Sequence, residues 1–294
     1  MWALVWRRDD PLVSVRRHAR MYQCSGMSLG GGSGVIRVSV PPVSFTVDPG
    51  AYDRYMGRYS GLLAPQLADL ATVSAGKRVL DVGCGPGALT AELVGRLGAA
   101  AVSAVDPSEP FVAAVEERHP GVDVRRAAAE QLPFQDAKFD ATLAQLVVLL
   151  MEDPTAGVAE MVRVTRKRGV VAASVWDYAG GRGPVSMLWD AARELDPDVV
   201  DESHLAGVRE GHLAELFDAA GLEEIEEATH SIRVEHSSFE EWWEPLTFGV
   251  GPAGSYVAGL DAALQVQLRE RCRAKLPTAP FLLTAHAWAA RGLA

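Results

Sequence analysis

Residues 79–90 read VLDVGCGPGALT, and no other stretch restricts the chain as much. An apolar run carrying one acid, Asp81, breaks into Gly83, Gly85 and Gly87. It then turns at once into a helical pattern, Ala88-Leu89-Thr90-Ala91-Glu92-Leu93-Val94. A buried strand, a glycine turn and a helix form the layout that binds nucleotides. Glycine lacks a Cβ, so it takes tight-turn dihedrals and lets a ligand lie against bare backbone.

The sequence around this stretch alternates strand and helix patterns. Strands are expected at 78–82, 101–105, 122–126, 139–144 and 170–176, with helices at 88–97, 109–118 and 153–166 between them. Strands separated by helices demand parallel crossovers. Before the glycine stretch, apolar residues at helical spacing predict a helix that restarts at Pro65 and ends near Gly76. After residue 180 helices are expected at 185–195, 210–220, 238–243 and 258–275, with a break at 249–254. Strands are expected at 223–234 and 281–289. The predicted fold is α/β: a doubly wound, mostly parallel, seven-stranded Rossmann-like sheet with helical insertions near the last strands.

Residues 1–47 differ in composition, with five arginines up to Arg20, a Gly-Ser run and the Pro41-Pro42 pair. They read as a disordered extension. Residues 48–294 read as one domain, with 48–180 as the cofactor-binding core, 181–280 as variable substrate-side elements and 281–294 as the final strand. Net charge is −10, which argues against a nucleic-acid binder. No apolar run is long enough to span a bilayer. Cys24, Cys84 and Cys272 form no CxxC pair, so no zinc site or disulfide framework is suggested, and a cytoplasmic location is expected.

The glycine loop admits two nucleotides. Gly83, Gly85 and Ala88 fit a GxGxxA dinucleotide pattern, which alone is a weak signal. Asp81, Gly83, Gly85 and Gly87 fit a loop for S-adenosyl-L-methionine. Asp106, after the second predicted strand, suits the ribose hydroxyls of either ligand. Four ordered segments separate the readings: VLDVGCGPGALT, AVDPSEPFVAAV at 104–115, AEQLPFQDAKFDATLAQ at 129–145 and AEMVRVTRKRGVVAASVW at 159–176. Together they resemble the class I S-adenosylmethionine-dependent methyltransferases, in the small-molecule branch that includes the ubiquinone/menaquinone C-methyltransferases.

The resemblance implies roles residue by residue. Gly83, Gly85 and Gly87 would form the loop under the cofactor, Asp81 would orient its methionine end and Asp106 would hold the ribose. Ala129 and Glu130 would border the adenine, with the segment from Leu132 to Asp140 lying along it. Gln145 would sit at the cofactor's rim, and Tyr52 and Arg58 are candidates for the methionine carboxylate. The chain departs from its relatives at Ala128, where many carry an Asp, and at Leu149-Leu150, where a His pair is common. Arg168-Gly169-Val170 replaces their Pro-Gly-Gly turn.

Methyl transfer from a sulfonium needs two positioned reactants and no protein nucleophile. A base helps for a hydroxyl or an acidic carbon, and Asp177 and Tyr178, after the fifth strand, are the candidates. Nucleobase-amine enzymes carry an Asp/Asn-Pro-Pro-aromatic motif where this chain has Ala144-Gln145-Leu146-Val147. Cytosine C5 enzymes use a Pro-Cys pair that is absent here. A small, apolar or aromatic acceptor is therefore expected. Trp242, Trp243, Phe248 and Tyr256 either line its pocket or form the core of the insertion. A nicotinamide-dependent oxidoreductase and a non-catalytic methyltransferase-like binding protein are the alternatives.

Overall fold

The computed structural model describes residues 47–294. The extension expected at 1–47 lies, apart from Val47, outside the described residues. The chain begins with a short helix, α1 (Pro49–Tyr52), a π turn (Asp53–Gly57) and α2 (Arg58–Leu70). The alternating part follows as β1 (Val79–Val82), α3 (Ala88–Leu97), β2 (Val102–Asp106), α4 (Glu109–Arg118) and β3 (Asp123–Arg126). Then come β4 (Phe139–Gln145), α5 (Pro154–Val164), β5 (Thr165–Trp176) and α6 (Ser186–Leu195). The last part holds α7 (His212–Ala219), β6 (Glu223–His236), α8 (Phe239–Trp243), α9 (Gly251–Gly259), α10 (Ala262–Lys275) and β7 (Phe281–Leu293).

The seven strands form one sheet in the order β3-β2-β1-β4-β5-β7-β6. All pairs from β3 to β5 are parallel, and β7 runs antiparallel to both β5 and β6. β1 is buried along its whole length, as a strand covered on both faces must be. The register sets Asp81 beside Ala104 of β2 and Leu143 of β4. The carboxyl ends of β1, β2 and β4 therefore share one edge of the sheet, next to the strand-order reversal where α/β folds bind ligands. Among the described residues, no helix is long and apolar enough to cross a membrane.

Three expectations are corrected. Pro65 does not start a helix but lies inside α2, because the buried face of Tyr59, Leu63 and Leu67 continues past it. That packing outweighs the one lost backbone bond. The break expected at 249–254 is the start of α9: Pro252 suits a first turn, and Ala253, Tyr256 and Val257 are buried. The expected helix at 258–275 is thereby divided, and Asp261 caps α10 by accepting from the Leu264 N–H at 2.8 Å. The third concerns β5, which begins at Thr165, before the expected start at residue 170.

The segment that carries much of the family resemblance is a structural clamp. Arg163 of α5 donates to the carbonyls of Leu132 (3.0 Å) and Phe134 (2.9 Å), while Glu160 accepts from the Leu132 N–H at 2.8 Å. Phe134 packs edge-on against Phe139 with ring centroids 5.0 Å apart. Replacing Arg163 by Ala should lower stability by about 1–3 kcal/mol, since it frees two carbonyls and the carboxylates of Glu160 and Asp136. Arg163→Lys should not restore it, because a point charge cannot serve that fork of acceptors. Thermal denaturation of the two variants checks this, and full recovery in the lysine variant would contradict the clamp.

Candidate active site

The site is built from the backbone outward. Beyond β1 the chain stays tied to β2: the Val105 carbonyl accepts from the N–H groups of Gly83 (2.8 Å) and Cys84 (2.9 Å). The next N–H, of Gly85, donates to the Asp106 carboxylate at 2.9 Å, whose other oxygen accepts from the Ser108 N–H at 2.8 Å. Gly83, Gly85 and Gly87 all have positive φ. A Cβ on Gly83 would meet the Val147 side chain at 2.4 Å, so this position excludes any other residue as it stands. Gly87 opens α3 in the left-handed region, at φ 101°.

A cavity of about 580 Å³ lies against this loop. Its lining includes Tyr52, Gly83, Gly85, Asp106, Ala129, Glu130 and Gln145 of the expected residues. Gly87 is not in the lining and belongs to the outer side of the turn. Asp81 is buried behind the loop, where its Oδ2 accepts from the Thr90 hydroxyl at 2.7 Å and its Oδ1 has no partner. Gln145 donates to the Ser60 carbonyl at 3.0 Å, and its own buried carbonyl oxygen is unpartnered. Of these two residues only Gln145 lines the cavity.

Other residues stand elsewhere than expected. Arg58 is held at the far side of α2 by Glu241 (2.9 Å) and the Glu235 carbonyl (2.8 Å), and it does not line the cavity. Glu130 is in the wall, but its carboxylate accepts from the N–H groups of Glu152 (2.8 Å) and Asp153 (3.3 Å), which fixes the loop before α5. The lining along the β3–β4 connection is 127–131 rather than 132–140. Asp177 is buried, with one oxygen accepting from the Gly180 N–H and the other paired to Arg182. It closes a turn and borders neither this cavity nor the recess next to it.

That recess, of about 40 Å³, shares Tyr52, Leu146 and Leu150 with the larger cavity. Leu146 sits at φ 63°, an uncommon conformation for a leucine, with its N–H donating to the Ser174 carbonyl at 2.7 Å. The other walls are Tyr55, Met56, Leu149, Trp176, Tyr178, Glu202, Val250, Gly251 and Pro252. Tyr178 is thus placed in the recess. Trp242, Trp243, Phe248 and Tyr256 do not line it: the two tryptophans pack with Phe239, and Tyr256 packs on Trp189. Glu202 was invisible to sequence reasoning, because it stands in the polar run Asp196–His204 that reads as a solvated loop. The fold buries it, and Trp189 Nε1 donates to its Oε2 at 2.7 Å.

A family model described as a methyltransferase domain matches residues 80–173. The phosphatidylethanolamine N-methyltransferase of Cereibacter sphaeroides is 34% identical over 152 residues, covering 49% of this chain and 72% of that protein. A malonyl-acyl-carrier-protein O-methyltransferase of Erwinia billingiae is 32% identical over 121 residues, covering 41% and 47%. The chain spans about half the length of the latter and of other curated relatives it matches. A solved structure from Bacillus halodurans C-125 superposes with a TM-score of 0.54 at 17% identity, covering 78% of this chain and 97% of that one, a likeness of fold.

Burial sets the electrostatics of the site. It pushes Asp81 up to about 7, against the Thr90 hydrogen bond, and Glu202 up to about 7, against that from Trp189. Burial also raises Asp106, while the N–H groups of Ser108 and Gly85 hold it back. Tyr52 is pushed up to about 12 by burial, and Tyr55 and Tyr178 are raised by burial first and by Glu202 second. The tyrosines therefore stay neutral.

A carboxyl raised in the folded chain holds a proton that the unfolded chain releases from about pH 4 upward. Stability must then fall as pH rises from about 4 to about 7, and level off above. The melting temperature of the ligand-free protein should accordingly fall between pH 5 and 7. Asp81→Asn should flatten that fall by up to about 1.4 kcal/mol per pH unit. Melting curves across this range check it, and an unchanged slope in the variant would show Asp81 to be ionised throughout.

Proposed function

The chain belongs to the class I methyltransferases, and we propose that it moves the sulfonium methyl of S-adenosyl-L-methionine to a small molecule. The observation that carries this reading is the cavity of about 580 Å³ with a bare glycine backbone on one side and the Asp106 carboxylate at its rim. The donor set fits the cofactor. Asp106 would take the ribose hydroxyls, Gly83 and Gly85 would let the ligand approach the backbone, and Gly87 would hold the turn. Ala129 and Glu130 would border the adenine, Glu130 through its stem and backbone because its carboxylate is engaged. Gln145 and Tyr52, both in the cavity wall, would meet the methionine end, and Asp81, buried in β1 and bonded to Thr90, would act on it from behind the loop. Arg58 has no part in this reading, since Glu241 and Glu235 hold it away.

When bound, the cofactor supplies an already activated methyl group. The protein's task is to bring the acceptor in line with it and exclude water. The recess bounded by Tyr52, Leu146 and Leu150 is contiguous with the cofactor cavity and is walled mainly by apolar and aromatic groups. That supports an acceptor with an apolar or aromatic body and a small reacting end. The motifs resemble the ubiquinone/menaquinone C-methyltransferase branch, whereas the curated relatives are named for N- and O-methylation. The buried free thiols of Cys84 and Cys272 agree with work in a reducing cytoplasm.

S-adenosylhomocysteine at about 100 times its Kd should stabilise the protein by about 2.7 kcal/mol, which is roughly 5–10 °C in melting temperature. Asp106→Ala should abolish the rise while leaving a cooperative transition, and Asp106→Asn serves if the alanine variant is unstable. NAD(H) should give no rise. A well-folded wild-type protein indifferent to S-adenosylhomocysteine would sink the reading.

A further inference from the structure

The recess beside the cofactor cavity holds an arrangement that methyl-donor binding does not explain. Glu202 is a buried carboxylate with one hydrogen bond, from Trp189. Among the described residues, no Lys, Arg or His forms an ion pair with it, and the charge nearest in effect is another acid, Asp201. A buried carboxylate without a counter-charge is unfavourable when ionised, so it takes up a proton unless a cation enters beside it. The remaining walls are aromatic or apolar: Tyr52, Tyr55, Trp176 and Tyr178, with Met56 and three leucines. Aromatic rings attract cations through their faces, most strongly where water is excluded. None of the recess-lining residues carries a positive charge.

Size narrows the occupant further. An apolar cavity that takes up benzene measures about 150 Å³. At about 40 Å³ the recess admits a group of a few heavy atoms and no aromatic ring. An aromatic ring therefore stays outside the recess, whereas the nitrogen of a small aliphatic amine fits within it together with its methyl groups.

We propose that the recess is the acceptor subsite and that it receives an amine nitrogen, held between the Glu202 carboxylate and the aromatic walls of Tyr55, Trp176 and Tyr178. This rests on the methyl-transfer reading above. An aliphatic amine arrives protonated, since such groups titrate near 10. Its proton passes to Glu202, whose raised affinity for protons suits that task. The freed lone pair on nitrogen forms the bond to the methyl carbon. The carbon–sulfur bond breaks with its electron pair going to sulfur, which leaves a thioether and a methylated ammonium. The positive charge moves from sulfur to nitrogen and stays within the same aromatic walls, and Glu202 returns its proton to solvent when the product leaves.

The test uses protein saturated with S-adenosylhomocysteine, whose own thermal shift is measured first. Dimethylammonium chloride is then titrated by calorimetry, with sodium chloride as the ionic control and ethanol as a neutral probe with the same number of heavy atoms. Wild-type protein should bind dimethylammonium and not ethanol, and Glu202→Gln should weaken the cation at least tenfold while keeping the S-adenosylhomocysteine shift. With S-adenosyl-L-methionine, dimethylamine should yield trimethylamine, detected by mass spectrometry, and the variant should lose this product. Equal binding of the alcohol would overturn the amine assignment. So would wild-type affinity in Glu202→Gln, or no cation binding by protein that still responds to S-adenosylhomocysteine. The wild-type comparison of the two probes decides the matter even if the variant fails to fold. Absence of the S-adenosylhomocysteine shift is a separate result that removes the methyl-transfer reading itself.

Discussion

Everything at the ligand-binding edge of the sheet depends on how the end of β1 is tied to the end of β2. Three successive N–H groups, those of Gly83, Cys84 and Gly85, all donate to the last two residues of β2. Two reach the Val105 carbonyl, and the third reaches the Asp106 carboxylate. A loop held that way cannot drift from the strand, so the glycine backbone and the acid face one cavity at fixed separation. The arrangement needs positive φ at Gly83 and Gly85, and it needs space that a Cβ on Gly83 would take from Val147. Charge is managed by the same contacts: burial pushes Asp106 toward protonation, and two backbone donors pull it back.

The walls of the cavity are held by contacts between the segments that form them and by a clamp behind them. Arg163 and Glu160 fix residues 132–136 against α5, and this holds 127–131 in the lining. Glu130 fixes the loop that begins α5 from the other direction. Ala128 therefore need not be replaced in function by its neighbour: the Glu130 carboxylate is occupied with backbone, and its stem is what remains in the wall. Leu149 and Leu150, at positions where relatives often carry histidines, make the floor between cavity and recess apolar. A base at that position is absent, and the one buried carboxylate of the recess comes from Glu202 instead.

What could be read along the chain was local. The strand–glycine–helix succession, the acid after β2 and the order of five alternating strands follow from hydrophobic period and turn residues, which act over a few positions. Gly83, Gly85, Asp106, Ala129 and Gln145 could be named because the motifs resemble a known family, and the fold brings these five to one cavity. The reading failed where packing from distant segments decided the outcome. Pro65 stayed inside α2 because Leu63 and Leu67, on the opposite face of the helix, are buried before and after it. Gly251 and Gly254 fell within a helix, α9, whose Tyr256 packs on Trp189. Arg58 was drawn off by Glu241, nearly the whole domain away in sequence.

The sequence by itself determined the sheet's parallel half and the glycine loop after β1, because glycine dihedrals and apolar periodicity are properties of short segments. It left the acceptor side undetermined. Glu202, Tyr55, Trp176 and Tyr178 stand on three separate stretches of chain, and no spacing relates them. Only tertiary structure brings them together, and only burial raises the proton affinity of the loop glutamate behind Trp189. A carboxylate's chemistry depends on its exposure to water, and exposure is set by the whole fold.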